Sequence, residues 1–140
     1  MRFILAVVMG MFLSGCAVVH GGVELAKTIW GSSTRALEEA RPQAIVKTYD
    51  KNYWDVVGAA EEFSVKTGYV IFKKDEVKGY MVLMGIKGSV NTTEVGVFFV
   101  ELNDSATRIE ISSLSTNAKR IVAKALFHGL DVSFGNEPKS

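Results

Sequence analysis

The 140-residue chain holds 16 lysines and arginines against 15 aspartates and glutamates, with 48% apolar residues and a single cysteine. Near-neutral charge with no basic stripe interleaved with aromatics leaves no electrostatic footprint for nucleic acid. The length sets the scale at one domain with an ordinary core.

The first segment reads as an export signal. Met1-Arg2 is a short positive start, Phe3 to Leu13 an apolar run, and the small residues Ser14 and Gly15 precede Cys16. The run is too short to span a bilayer, which takes about 20 residues. The tetrapeptide Leu13-Ser14-Gly15-Cys16 resembles the lipobox of bacterial lipoproteins; the other reading is an ordinary cleaved signal followed by an unrelated cysteine. The resemblance implies diacylglycerol on the Cys16 thiol, cleavage before Cys16, and acylation of the new amino terminus. Two or three acyl chains anchor a protein stably, whereas one holds it only marginally. Residues 1–15 are then a cleaved signal, leaving 140 − 15 = 125 residues. Acylation of Cys16 also excludes disulfides, thiol catalysis and cysteine metal ligation. Ala17 stands where an aspartate would favour the inner membrane, which points to the periplasmic face of the outer membrane.

Residues 16–22 form a lipidated tether. Ala17 to Gly22 reaches at most roughly 20 Å when extended, so the domain sits near the membrane. A single domain is expected over residues 23–132, with 133–140 a flexible tail. Val23 to Ala40 reads as a helix, frayed around Gly31, with Ala26, Ile29, Trp30, Ser33, Leu37 and Ala40 near one face. Arg41-Pro42 ends it, because a residue before proline disfavours the helical region. Ala44 to Tyr49 alternates as a short strand. A second helix starts at a cap from Asp50 or Asn52, carries the stripe Tyr53, Val56, Val57, Ala60, Phe63 and Ser64, and stops at Gly68. Four strands follow: Tyr69 to Lys74, Gly79 to Ile86, Thr93 to Leu102 and Ala106 to Leu114. The last helix runs from about Asn117 to Leu130, capped by Ser115 or Thr116. The expected fold is α+β, one antiparallel sheet of four to five strands in the order β-α-β-β-β-β-α, with helices packed on it and a membrane-proximal helix before it.

A two-residue loop at Asp104-Ser105 sets Val100 opposite Ile109 and Phe98 opposite Ile111 on one face. Glu101 then pairs with Arg108 on the other, beside Val95, Val97 and Phe99. The hairpin around Lys78 divides Val70, Phe72, Met81 and Leu83 from Tyr69, Ile71, Val82, Met84 and Ile86. Both faces are apolar, and a sheet with one solvated face should alternate cleanly. Something should therefore cover the second face. Three occupants are open: the first helix through Ile29, Trp30 and Leu37; a second protein chain or a homodimer partner; or a small apolar ligand suited by Met81, Met84, Tyr69, Tyr80 and Phe99. The candidate partner or ligand surface is Trp30, Tyr69, Met84, Val97 and Phe99.

Catalytic constellations are thin. His20 lies in the tether and His128 near a helix end, where the macrodipole favours its charged form; neither suggests a metal site. Glu38-Glu39 and Glu61-Glu62 read as solvated helix faces. The serines of Ser112-Ser113-Leu114-Ser115 lack a positioned base other than His128, and no nucleophile elbow is present. Gly79, Gly85, Gly88 and Gly96 lack the strand-loop-helix setting and the lysine of a phosphate loop. Inside strands, Gly85 and Gly96 mark bulges or close backbone approach. Trp54 departs from the inward stripe of its helix, open either to a partner or to packing by the first helix. No cofactor is expected, and the chain reads as non-catalytic.

This order of elements resembles the small domains of envelope lipoproteins such as the accessory subunit of the outer-membrane barrel-assembly machine. The chain is also similar to small bacterial lipoproteins of uncharacterised function. That likeness lies in Ile29-Trp30-Gly31-Ser32-Ser33-Thr34-Arg35 with Leu37-Glu38, Thr92-Thr93-Glu94-Val95-Gly96-Val97-Phe98-Phe99, and Glu110-Ile111-Ser112-Ser113-Leu114-Ser115. These resemblances imply location and fold. The function expected is a membrane-anchored, non-catalytic lipoprotein acting as a protein-interaction or assembly accessory module. The alternative is a carrier or sensor of a small apolar or lipidic ligand in a groove over the sheet.

Overall fold

Alternation, stripes and caps become a five-stranded sheet with three helices. The computed structural model describes residues 32–136. The signal, Cys16, the tether, Ile29, Trp30 and the last four residues of the tail lie outside the described residues. In chain order the elements are α1 (Ser32–Glu39), a 3-10 turn (Arg41–Gln43), β1 (Ile45–Tyr49), α2 (Tyr53–Thr67), β2 (Val70–Asp75), β3 (Tyr80–Met84), β4 (Val95–Asn103), β5 (Ala106–Ser112) and α3 (Thr116–Phe134). The fold is α+β, and every neighbouring strand pair is antiparallel.

Local chemistry sets the helix ends. The Asn52 side chain accepts from the Asp55 backbone N–H at 2.9 Å and donates to the Asp55 carboxylate at 2.7 Å, which satisfies an orphan donor of the first turn of α2. Gly68 closes α2 at φ 87°, in the left-handed region. Ser115 caps α3 by accepting from the Ala118 N–H at 3.2 Å. The last helix runs past its expected end at Leu130, and Ser133 and Phe134, placed in the flexible tail, continue α3. Two tertiary contacts hold that last turn. Asp131 pairs with Lys47 at 2.6 Å, and the Phe134 ring meets Tyr49 edge-on at 5.6 Å.

The sheet order is β1-β5-β4-β3-β2, so β1 and β2 are the edges. One face packs against α2 and α3. Val56, Val57 and Ala60 of α2 and Val122, Leu126 and Leu130 of α3 are buried in one cluster with Met81, Leu83, Val97, Ile109 and Ile111. The strand faces differ from the sequence reading, and the reason is two bulges. The Asp104-Ser105 loop does bring Asn103 opposite Ala106, but the ladder then shifts between Asn103 and Glu101. Leu102 is the extra residue, so Glu101 faces Thr107 rather than Arg108, and Val97 rather than Phe98 faces Ile111. A second shift between Ile71 and Lys73 sets Val70 opposite Met84 and Ile71 opposite Leu83. A one-residue slip moves a strand's side chains to the opposite face. Val95, Val97 and Phe99 therefore belong to the helix-covered core, and Gly96, Phe98 and Val100 to the outer face.

The β2–β3 turn depends on Gly79, which has φ 78°. A Cβ there would come within 2.7 Å of the Phe99 carbonyl oxygen and 3.1 Å of the Tyr53 hydroxyl. Replacing Gly79 by Ala is expected to cost about 2 kcal/mol from backbone strain and crowding. A lowered urea midpoint with an unchanged slope would show it; an unchanged midpoint would refute the assignment.

Candidate functional site

The outer face of the sheet is where the sequence placed the candidate surface, and α1 lies over its middle. Leu37 packs with Val82 and Phe98, and Tyr80 closes the side of this small cluster. Gly96 makes the approach feasible: a Cβ there would fall 2.7 Å from the Phe98 ring and 3.4 Å from the Leu37 Cβ. Of the two readings of its position in the strand, a bulge or a close approach to the backbone, this is the second, with side chains as the close neighbours. Ser112 adds a tie by donating from its hydroxyl to the Leu37 carbonyl at 2.7 Å.

A charged strap follows. Arg41, just after α1, donates to Glu38 at 2.6 Å and to Glu110 at 3.0 Å, and its guanidinium lies 4.6 Å above the Phe98 ring. Arg108 holds the second carboxylate oxygen of Glu110 at 3.0 Å. Burial alone would push the Glu110 carboxyl upward. The hydrogen bonds and charges of Arg41 and then Arg108 outweigh it and hold that carboxyl below its ordinary value. Two arginines on one buried carboxylate make a geometry-specific joint between α1 and the sheet.

The five residues of the candidate surface separate. Val97 and Phe99 are buried in the core because of the Leu102 bulge, and Tyr69 is buried there too, its ring 6.5 Å from Phe63. Only Met84 stands on the outer face, half-buried opposite Val70. Trp30 lies outside the described residues. Sequence reasoning missed the residues that do stay open on this face: Val70 is 56% and Phe72 50% exposed at the β2 edge, and Val46 is 49% exposed at the β1 edge.

Beside α1, Ser33, Ala36 and Leu37 face Thr92 to Glu94 and Ser113 to Ser115 across a groove of about 410 Å³. Hydroxyl side chains alternate in its lining with the apolar Ala36, Leu37 and Leu114, and none of the methionines or aromatics expected for an apolar guest takes part. The remaining sequence candidates have structural partners. Ser113 donates to the Glu94 carbonyl at 2.8 Å, and Ser115 caps α3. Glu39 pairs with Arg35, Glu61 with Lys74, and Glu62 with Lys66. His128 is exposed on α3, and Asp131, one turn along, is taken by Lys47. Among the described residues no three His, Cys, Asp or Glu side chains are grouped to hold a metal ion, and no helix is long and apolar enough to cross a membrane. Compared with known proteins, the chain matches no family model and no curated sequence.

The strap has a testable pH dependence. Folded Glu110 titrates below its unfolded value of about 4.5. Its contribution is therefore complete above that pH and is lost as pH falls through the lower folded value. Glu110→Gln should lower the melting temperature at neutral pH and flatten the acid limb of the stability curve. Parallel curves for the two proteins would show that Glu110 carries no such linkage.

Proposed function

We propose that this protein is a lipid-anchored bacterial envelope lipoprotein whose domain acts as a non-catalytic protein-interaction or assembly module. The anchor half of the reading comes from Leu13-Ser14-Gly15-Cys16, with acyl chains on Cys16 holding the protein at a membrane, the periplasmic face of the outer membrane being favoured. The observation that supports the interaction half is the open strip of Val70 and Phe72 beside Met84, at the unpaired edge of β2. A free edge offers backbone N–H and C=O groups as well as side chains. Here the Phe72 bulge and Lys73, whose ammonium lies 5.8 Å over the Phe72 ring, oppose backbone strand addition at this edge and leave the apolar strip as a side-chain surface for another protein or a second copy.

A carrier function is the second reading, supported by the groove beside α1. Its volume lies within the usual range for small-molecule sites. Its lining mixes the hydroxyls of Ser33, Thr92, Thr93, Ser113 and Ser115 with the apolar Ala36, Leu37 and Leu114, which suits a small guest with both polar and apolar parts.

Replacing Cys16 by Ser is expected to abolish palmitate labelling and release the protein from the membrane fraction. Persistent labelling would remove Cys16 as the attachment site. Phe72→Asp on the open strip should leave the thermal melt unchanged while abolishing protein adducts formed by crosslinking in intact cells. Adducts undiminished in the variant would take the strip out of the interface.

A further inference from the structure

A second open surface lies at one end of the domain, away from α1. Strand register brings three separate segments together there. Thr107 pairs with both Tyr49 and Glu101 and donates from its hydroxyl to the Lys51 carbonyl at 3.0 Å. The Phe99 N–H donates to the Gly79 carbonyl at 2.8 Å. The end of β1, the β2–β3 turn and the β4–β5 turn thus share one rim. Tyr53 joins the start of α2 to it. Its hydroxyl donates to the Glu76 carbonyl at 2.6 Å, and its ring lies 6.4 Å from Phe99 and 5.1 Å, edge-on, from Trp54.

Three large apolar side chains stand open on this rim: Trp54 at 61%, Val77 at 93% and Leu102 at 45% exposure. The turn itself does not need Val77. The Asp75 carboxylate accepts from the Val77 and Lys78 N–H groups, and Gly79 supplies the positive φ. Trp54 is equally dispensable to the core, since α2 buries Tyr53, Val56, Val57, Ala60 and Ser64.

The same rim is acidic. Asp50, Asp55, Asp75, Glu76, Glu101 and Asp104 bring six carboxylates against Lys51, Lys74 and Lys78 in these segments. Lys51 lies over the Phe134 ring at 5.6 Å, and Lys74 divides between Glu61 at 2.7 Å and Glu76 of this rim at 3.3 Å, so carboxylates remain in excess over cations here. The field reaches Tyr53, whose hydroxyl is pushed above its ordinary value by burial and then by Glu76, Glu101 and Asp75. The carboxylates are spread out and form no group able to hold a metal ion. They leave the end that carries Tyr53 and Trp54 with a surplus of negative charge.

We propose that this end of the domain docks a basic segment of a partner protein, with Trp54 as the apolar anchor and the carboxylate rim selecting lysine and arginine. The proposal rests on the interaction-module reading and names the chemistry of the partner. A bare Trp within a rim of complementary charge has the anatomy of a binding hot spot, and steering by the rim would favour encounter with cations. An anionic lipid surface is repelled by the same field, and so is a second copy docked through this end, because two acidic rims would face each other. Position fits as well. The chain enters the domain beside Thr92 and Thr93, where Ser33 lines the groove. The nine residues of β4, at about 3.4 Å each, set the Trp54 end roughly 27 Å away. The docking end is thus remote from the point where the described chain begins.

The test is selection of displayed random peptides on the full chain in detergent micelles. The expected winners carry Lys or Arg flanking an apolar or aromatic residue. Their binding should weaken as salt is raised and fall about tenfold or more with Trp54→Ala and with the pair Glu101→Lys and Asp104→Lys. Unchanged melting curves would establish that these exposed substitutions leave the fold intact. Winners with no basic bias, or binding indifferent to all three substitutions, would overturn the proposal. Binding lost only with Phe72→Asp would overturn it while leaving the interaction-module reading in place. A dimer seen by light scattering and abolished by Trp54→Ala would overturn it in favour of a second copy. Absence of any enriched peptide, combined with absence of protein adducts in cells, would remove both readings.

Discussion

In an antiparallel sheet a residue's face follows from counting along the ladder, so the extra residue at Leu102 near the end of β4 governs the arrangement of most of the molecule. With Leu102 left out of the ladder, Val95, Val97 and Phe99 point toward α2 and α3. They join Ile109 and Ile111 in a single apolar layer. Without it, this apolar set would turn outward, and Phe98, Val100 and the charged Arg108 and Glu110 would disagree with their cross-strand neighbours. The bulge at Phe72 performs the same correction in β2, keeping Ile71 with Leu83 in the core while Lys73 stays on the outer face. Bulges also sharpen local twist, which suits strands near a sheet edge and a hairpin end.

Once the faces are set, the outer face becomes a mixed surface that one short helix can only partly cover. Eight residues of α1 supply a single fully buried leucine, so apolar burial alone gives it little hold. The joint is instead made by shape and charge: Gly96 opens room for Leu37, Ser112 ties the α1 backbone, and Arg41 bridges Glu38 to Glu110 while lying over Phe98. A carboxylate as buried as Glu110 is tolerable only when its lone pairs are filled. Arg41 from the 3-10 turn and Arg108 from its own strand fill them.

The functional reading follows from what this architecture leaves open. The serines and acidic residues that first suggest chemistry are engaged in caps, backbone ties and ion pairs. Two sets of exposed apolar residues bear on function: the Val70 and Phe72 strip at one sheet edge, and Trp54, Val77 and Leu102 at the end of the domain. A chain read as membrane-tethered through Cys16 and carrying two such surfaces suits a module that holds other proteins near a membrane. The two surfaces differ in their chemistry, one flanked by lysine and the other by carboxylates, so they would select different partners.

Local signals carried much of this fold. Asn52 and Ser115 as caps, Gly68 as a left-handed stop, the stripe from Tyr53 to Ser64 and the five runs of strand residues are all visible in the chain, because each depends on neighbours within a turn or two. That Trp54 lies off its helix's apolar stripe was legible for the same reason, but the sequence left open whether the first helix would pack over it, and the fold leaves it exposed. The tertiary structure alone decided the faces of β2 and β4, because a bulge is a mismatch between two strands and leaves no mark in either one. It also decided that Val132 to Phe134 stay helical, since their hold comes from Lys47 and Tyr49, distant in the chain. The candidate surface scattered for that reason: Tyr69, Val97 and Phe99 were assigned a face by counting, and only the paired ladder determines the count.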